Sequence, residues 1–471
     1  MIQKMVLFGA TGDLAGRFLL PALAELFDEG KLSAEFTVVG AARNDLTDEE
    51  FRKQAAQRLE QHAAKDVSAD ARKSLLESLR YSKVDLNDPA SVAEAVHAAG
   101  NGSNNEPVAA YLALPTSVFP AAVAALGKAK LPEGSRIALE KPFGEDLASA
   151  MALNEQLAQV AGVNGEHEIF RVDHALGLST VQNLMGVRLG NRVLEPVWNS
   201  NHIEQVQIVW DETLALEGRA AYYDNAGALK DVIQNHLFQI LCFIAMEPPI
   251  SLSEKDLRDR KVDVLRSVRP FTSETVASQT IRARYTAGKL AESEGGRTVP
   301  NYTDEKGVNA SRKTETFAEI VLRLDNWRWQ GTRFLLRSGK ALAKKRKEVL
   351  VRFRPVPCLP FGENQPQPER NELRIGMRGP DDLSLKLNGW DAGPPAHLAP
   401  LELYTKLPAP EIPAYSRVLI DVLSGDCSLS IRGDEAEEAW RVLTPILQAW
   451  KEDKVPLLEY QAGSNGPRSI A

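Results

Sequence analysis

Residues 5–26 read Met5-Val-Leu-Phe8-Gly9-Ala-Thr-Gly12-Asp-Leu-Ala15-Gly-Arg-Phe18-Leu-Leu-Pro-Ala-Leu-Ala-Glu-Leu26. An uninterrupted apolar run, Met5 to Phe8, passes straight into a turn with glycines at 9 and 12, and leucines follow at 19, 20, 23 and 26. The run reads as a strand buried on both faces, and the leucine spacing as one face of a helix. Strand, glycine turn and helix together open a βαβ unit, and Gly-x-x-Gly-x-x-Ala is the dinucleotide-binding pattern with shifted spacing. Glycines let the backbone approach a pyrophosphate, while the helix N-terminus offers free N–H groups and a partial positive charge. The cofactor contacts expected on this turn are Gly9, Thr11, Gly12, Asp13 and Leu14.

The next apolar run, Phe36 to Val39, reads as a second strand and ends in Gly40-Ala-Ala-Arg43. An acidic residue there would accept a hydrogen bond from the ribose 2′-hydroxyl of NAD. A guanidinium suits a 2′-phosphate instead, so Arg43 points to NADP. A solvated surface arginine is the alternative. Thr47 and Glu50 have the spacing of a capping box that starts a helix, and another helix-rich stretch begins near Ser68. Leu79–Val84, Val108–Leu114 and Arg136–Leu139 read as further strands. Strand and helix alternate through the first 165 or so residues, which predicts a Rossmann-type, doubly wound parallel sheet.

Beyond about residue 168 the texture changes to period-2 segments: Ile203–Trp210, Thr280–Tyr285, Phe317–Leu324, Thr332–Leu336, Val349–Phe353 and Leu383–Leu387. Long helical patterns interrupt them at Ala228–Met246 and Asp434–Trp450. Few βαβ units are visible, so a large, mostly antiparallel sheet packed with helices is expected. Five prolines between Pro355 and Pro368 predict an extended loop. The expected division is an α/β cofactor domain over 1–168 and an α+β substrate and dimerisation domain over 169–471.

Composition narrows the function class. The 471 residues are 44% hydrophobic and 25% charged, an ordinary globular profile. A net charge of −7 gives no overall reason to hold nucleic acid or an anionic membrane. Cys242, Cys358 and Cys427 are odd in number and show no zinc-ligand spacing, so no disulfide framework and no metal are expected. The longest apolar stretch, Ile240 to Met246, is far below the roughly 20 residues of a membrane span. No signal-peptide pattern is visible, and the expected location is the cytoplasm.

An ordered set of further motifs runs down the chain: Tyr111-Leu-Ala-Leu-Pro115, Glu140-Lys-Pro-Phe-Gly144, Arg171-Val-Asp-His174, Tyr222-Tyr-Asp224 and Asp231-Val-Ile-Gln-Asn-His-Leu237. Asp325-Asn-Trp-Arg-Trp329, Arg337-Ser-Gly-Lys340, Asp434-Glu435 and Glu438-Ala-Trp440 continue it. Together with the glycine turn, this set resembles the glucose-6-phosphate dehydrogenase family over nearly the whole length. The resemblance implies NADP-dependent oxidation of a sugar at C1 to a lactone, a small sugar or sugar-phosphate substrate, and a homodimer or homotetramer.

It also implies residue roles. A histidine on an apolar helix reads by itself as a core residue, but the resemblance makes His236 the general base and Asp173 its orienting partner. That chemistry is sound, because a carboxylate on the far imidazole nitrogen fixes the tautomer and stabilises the imidazolium. Lys141 would bridge cofactor and sugar. Glu212 and Asp231 match carboxylates that hold sugar hydroxyls. His174, Lys340 and Lys345 match substrate- and phosphate-contacting groups. The other charges of the basic run Arg337 to Lys347 are read as solvated, and without interleaved aromatics the run is not a nucleic-acid patch.

Three positions depart from the family. Its phosphate-binding segment usually reads Arg-Ile-Asp-His-Tyr-Leu-Gly-Lys; here Ala175 and Leu178 replace the tyrosine and lysine, and Phe18 replaces a further lysine. Each lost charge-assisted contact is worth roughly ten- to hundredfold in binding. Two other readings follow: a C1 dehydrogenase for an unphosphorylated or differently phosphorylated aldose, and a catalytically weak NADP-binding regulatory paralogue.

Overall fold

The computed structural model describes residues 1–99, 106–359, 368–377, 381–391, 398–408 and 412–470. The chain forms two compact units. The first holds Met1–Leu178 with two returning segments, Ile250–Arg258 and Pro410–Glu437; the second holds Ser179–Pro249, Asp259–Ala409 and Glu438–Ala471.

In the first unit, six strands form a parallel sheet: β1 Lys4–Phe8, β2 Thr37–Ala42, β3 Leu79–Lys83, β4 Ala109–Leu112, β5 Arg136–Glu140 and β6 Ile169–Val172. Their order is β3-β2-β1-β4-β5-β6, and every pairing is parallel. All five residues of β1 are buried, as a strand with helices on both faces requires. The helix after the glycine turn is wound in two ways, as a π-helix over Ala15–Leu19 and then as an α-helix over Leu20–Asp28. Leu19, Leu20, Leu23 and Leu26 are all buried in the unit's core, each burial contributing roughly 1.5–3 kcal/mol.

The predicted capping box forms. Glu50 N donates to Thr47 Oγ1 at 3.2 Å and Thr47 N donates to Glu50 Oε2 at 2.8 Å, starting the helix Asp48–His62. The returning segment contributes the helix Ala414–Ser424, whose Leu419, Val422 and Leu423 join the same core. Arg136 on β5 caps that helix, with Nη1 donating to the carbonyls of Val422 and Leu423 at 2.8 and 2.6 Å.

In the second unit the strands are β7 Ile203–Asp211, β8 Thr280–Thr286, β9 Gly288–Lys289, β10 Thr298–Val299, β11 Phe317–Leu322, β12 Arg333–Gly339 and β13 Arg346–Phe353. They continue with β14 Glu372–Gly376, β15 Asp382–Trp390, β16 Leu398–Lys406 and β17 Leu457–Gln461. Nine of them make one sheet in the order β16-β15-β14-β13-β7-β12-β11-β8-β17, and β9 and β10 pair separately. The large sheet is antiparallel apart from β7 beside β12 and β8 beside β17, which run parallel.

The predicted helix over Ala228–Met246 is two differently wound pieces, a π-helix Leu229–Leu237 and an α-helix Phe238–Ala245. The proline-rich stretch is irregular at 355–359 and at 368, and its residues 360–367 lie outside the described residues. At the other end of the large sheet, Leu401 and Leu403 of β16 are 49% and 54% exposed. They lie opposite Leu387 and Leu385 of β15. Among the described residues no helix is long and apolar enough to cross a membrane.

Candidate active-site residues

In the first unit the glycine turn is shaped by contacts that only glycine tolerates. Gly9 has φ +79°, and a Cβ there would lie 2.3 Å from the carbonyl oxygen of Ala113. Gly12 N donates back to Gly9 O at 2.9 Å, closing the turn. Helical residues begin at Asp13, so the first N–H groups of that helix have no partner within it. A cavity of about 270 Å3 borders the turn, lined by Ala10, Thr11, Gly12, Gly16, Phe51 and Arg58 among others. Asp13 pairs with Arg17 at 3.4 Å on the surface, and Leu14 packs against the core.

Thr11 Oγ1 donates to Asn44 Oδ1 at 3.1 Å, tying the turn to the loop after β2. Tyr81 holds that loop from the other side, its hydroxyl donating to the carbonyls of Asn44 and Ala42 at 2.7 and 3.2 Å. Arg43 sits between Ala42 and Asn44, exposed, and makes no ion pair among the described residues. A tight glycine turn, uncommitted helix N–H groups and an uncommitted guanidinium suit a dinucleotide with a 2′-phosphate.

Lys141 follows β5 and begins the cis peptide Lys141–Pro142. The preceding Glu140 is buried and accepts from the Tyr111 hydroxyl at 2.6 Å. Burial pushes the Glu140 carboxyl up to about 7; the Tyr111 hydrogen bond opposes the shift and nearby Asp173 adds to it. Asp173 lies at the end of β6, where its Oδ1 accepts from Ala175 N at 2.9 Å and starts the short turn His174–Gly177.

His174 stacks on Tyr415 with centroids 5.5 Å apart and planes 15° apart, and Phe18 stacks on the same tyrosine at 5.1 Å. Phe18, standing where the family usually has a lysine, is thus a packing residue of the ring that supports His174. Ala175 is buried at 5% exposure and Leu178 is half-buried.

His167, Glu254 and Cys427 converge in this unit with donor atoms within 4.8 Å of one another. No sequence spacing announces that set. His167 already pairs with Glu254, and the Cys427 thiol donates to the His167 carbonyl at 3.3 Å.

In the second unit the π-helix Leu229–Leu237 carries Asp231 and His236. Its i→i+5 bonding widens the turn, bringing residues five apart closer to one face than α winding would. Asp231 Oδ1 accepts from the Tyr222 hydroxyl at 3.0 Å. His236 is buried and stacks on Trp210 of β7 with centroids 5.3 Å apart.

Just beyond that strand, Glu212 Oε2 accepts from Lys340 Nζ at 2.5 Å. Burial alone would raise the Glu212 carboxyl, but the charge and hydrogen bond of Lys340, with Lys347 behind them, hold it below its ordinary value. Lys340 also lies 5.0 Å over the Tyr223 ring. Lys345 is exposed on the segment that leads into β13. His236, Asp231, Glu212 and Lys340 are therefore held by one helix and one end of the large sheet.

The expectation that the rest of the basic run is solvated holds for exposed Lys344 and fails for Arg337, Arg346 and Lys347. Arg337 pairs with buried Asp211 at 3.0 Å, and Arg346 approaches the same carboxylate at 3.9 Å. Lys347 Nζ lies 3.7 Å from the Trp210 ring centroid, and burial pushes its ammonium down to about 8. Cross-strand neighbours decide this, and the one-dimensional run of charges does not reveal them.

Residues 6–183 match the family description "Glucose-6-phosphate dehydrogenase, NAD binding domain", and residues 185–471 match its "C-terminal domain". A curated relative from Mycolicibacterium smegmatis, "Glucose-6-phosphate 1-dehydrogenase", is 39% identical, with 99% of this chain and 94% of the relative covered. A second of that name, from Zymomonas mobilis, is 36% identical over 99% and 96%. A solved structure of a glucose-6-phosphate dehydrogenase in complex with its substrate glucose-6-phosphate superposes with a TM-score of 0.86 at 31% identity, covering 99% of this chain and 95% of that one. With the family's two domains matched in order and relatives aligned nearly end to end, this chain belongs to the glucose-6-phosphate dehydrogenase family.

Proposed function

We propose that the chain oxidises D-glucose 6-phosphate at C1 to 6-phosphogluconolactone, with NADP as hydride acceptor. The observation that carries this reading is the nearly full-length match to relatives named for that reaction, one of them solved with the sugar phosphate bound. The same matches favour it over an unphosphorylated aldose or a regulatory paralogue.

When bound, NADP would supply a nicotinamide ring as the hydride acceptor. The chain must take the anomeric hydroxyl proton as the C1–H bond breaks. His236 is the proposed base and Asp173 its proposed orienting partner. The Trp210 stack limits the imidazole to one plane, which lowers the cost of presenting a ring nitrogen to the sugar.

Glu212 and Asp231 would accept from sugar hydroxyls, with Lys340 keeping the Glu212 carboxylate ionised. His174 and Lys345 would meet the phosphate, and Lys141 would link sugar and cofactor. Gly9, Thr11, Gly12, Asp13 and Leu14 would cradle the pyrophosphate, with Arg43 on the 2′-phosphate. The exposed leucines of β16 support self-association as a homodimer or homotetramer, since an apolar sheet face of this kind marks an interaction site. Buried Cys242 and Cys427 and exposed Cys358, none in a disulfide, fit a reducing cytoplasm.

The test is NADPH absorbance with glucose 6-phosphate, glucose and other aldoses, in the parent and in His236→Asn. The parent should prefer glucose 6-phosphate, and the variant should lose at least about 10²-fold in kcat while keeping NADP affinity. Preference for another sugar would overturn the substrate. A variant that keeps most of its kcat would remove His236 from the mechanism.

A further inference from the structure

We propose that Lys347, close to Lys340 and Lys345, is a further ammonium that joins Lys345 in receiving the phosphate dianion of the substrate and thereby sets the preference for a phosphorylated over a free sugar. The proposal rests on the reading of function given above.

Lys347 lies on β13 directly opposite Trp210 of β7, so both side chains leave the sheet on one face. Its Nζ sits 3.7 Å from the centre of the indole on which His236 stacks, which puts the ammonium one ring away from the proposed base. Among the described residues no carboxylate lies within ion-pair distance of it; nearby Glu212 is bonded to Lys340 instead. The charged neighbours acting on Lys347 are Glu212, Lys345 and Lys340, three ammoniums in all against one carboxylate. A half-buried group with that local excess of positive charge gains most from a ligand carrying two negative charges. A neutral sugar offers no such offset. Arg337 and Arg346, by contrast, already share Asp211 and have less to offer an anion. Lys347 is thus a cation available to the phosphate in a chain whose Ala175 and Leu178 offer it neither hydroxyl nor ammonium.

The test compares the parent with Lys347→Met, which keeps an unbranched side chain on the indole, and Lys347→Arg, which restores the charge. KM is measured for glucose 6-phosphate and for glucose, together with the inhibition constant of inorganic phosphate. Lys347→Met should raise KM for glucose 6-phosphate about tenfold or more, the size of one charge-assisted contact. The inhibition constant of phosphate should rise in parallel, KM for glucose should move several-fold less, and Lys347→Arg should recover most of the loss. Equal losses on both sugars, or an unmoved KM in a parent that does turn over glucose 6-phosphate, would make Lys347 a packing residue of Trp210 and overturn the proposal. A parent that ignores glucose 6-phosphate would overturn the functional reading instead. Direct titration of parent and variant with inorganic phosphate would then still decide the role of Lys347: weaker binding to the variant supports it, and equal binding refutes it.

Discussion

Gly227→Ala should damage the proposed site from a distance. Gly227 lies at φ 68°, ψ 176° just before the π-helix that carries Asp231 and His236. That region of backbone space is essentially reserved for glycine, and placing alanine there costs on the order of 1–3 kcal/mol. The new methyl would also lie 2.3 Å from Glu315 Oε1, 2.7 Å from Cδ and 2.8 Å from Oε2. Glu315 cannot swing into solvent at no cost, because it is buried and its Oε1 accepts from Leu229 N at 3.0 Å, the first amide of that helix. Relieving the overlap either breaks this bond or shifts the helix, adding about 1–3 kcal/mol. The expected loss is about 3 kcal/mol, read as a lowered urea midpoint at unchanged slope, with a fall in kcat because the helix start has moved. Glu315→Ala removes the obstacle but not the backbone strain. The double variant should therefore lose about 1–2 kcal/mol less than the sum of the two single losses. Additivity within about 0.5 kcal/mol, or a Gly227→Ala enzyme with parental stability and kcat, would refute the argument.

Three other outcomes follow from the first unit. Arg43→Ala should raise KM for NADP and leave that for NAD nearly unmoved, with a difference that shrinks as salt is added; equal losses would make Arg43 a fold or adenine residue. Glu140→Gln should flatten the dependence of stability on pH. The folded-state value of about 7 lies above the ordinary 4.5, so the folded chain binds this proton more tightly. The group's contribution, on the order of 3 kcal/mol, is present below about pH 4.5 and lost as pH rises through about 7. Melting temperatures of parent and variant at about pH 5 and pH 8 check this, and parallel falls would contradict it. Ala175→Tyr, which restores the family's usual residue, should cost about 1–3 kcal/mol in urea unfolding because position 175 is buried; a neutral result would mean that the turn His174–Gly177 opens to admit the ring.

What the chain announces in one dimension is what neighbouring residues decide among themselves. The strand before Gly9 and the Thr47–Glu50 cap depend on short-range sterics and hydrogen bonds, and both are present as read; the close approach of Gly9 is to the Ala113 carbonyl, more than 100 residues along the chain, and no local signal announces it. Within Leu229–Leu237 the apolar residues Leu229, Val232, Ile233 and Leu237 keep ordinary helical spacing, so the sequence reads as α winding and gives no sign of the wider π turn. The parallel pairing of β7 with β12 joins strands more than 120 residues apart in sequence, and no local signal encodes it. The same holds for Arg337, Arg346 and Lys347, which look alike in a basic run until the partners across the sheet assign two to Asp211 and one to Trp210. The roles proposed for His236 and Asp173 rest on the ordered motifs around them, since a buried histidine and a buried aspartate have ordinary structural uses.

The helix Ala414–Ser424 carries a consequence for biosynthesis. Its leucines complete the core around β1, and its end holds the amide of Ile2, which donates to Leu423 O at 2.8 Å. A ribosome that has made the first 178 residues has therefore made a parallel sheet that still lacks part of its interior. That nascent sheet must wait, partly uncovered, while more than 230 further residues are translated. At about 5–20 residues per second the delay is on the order of 10–50 s, long enough for a chaperone to bind and for a truncated product to aggregate. Translation speed between codons 179 and 410, rather than the intrinsic rate of sheet formation, should then govern the yield of native chain.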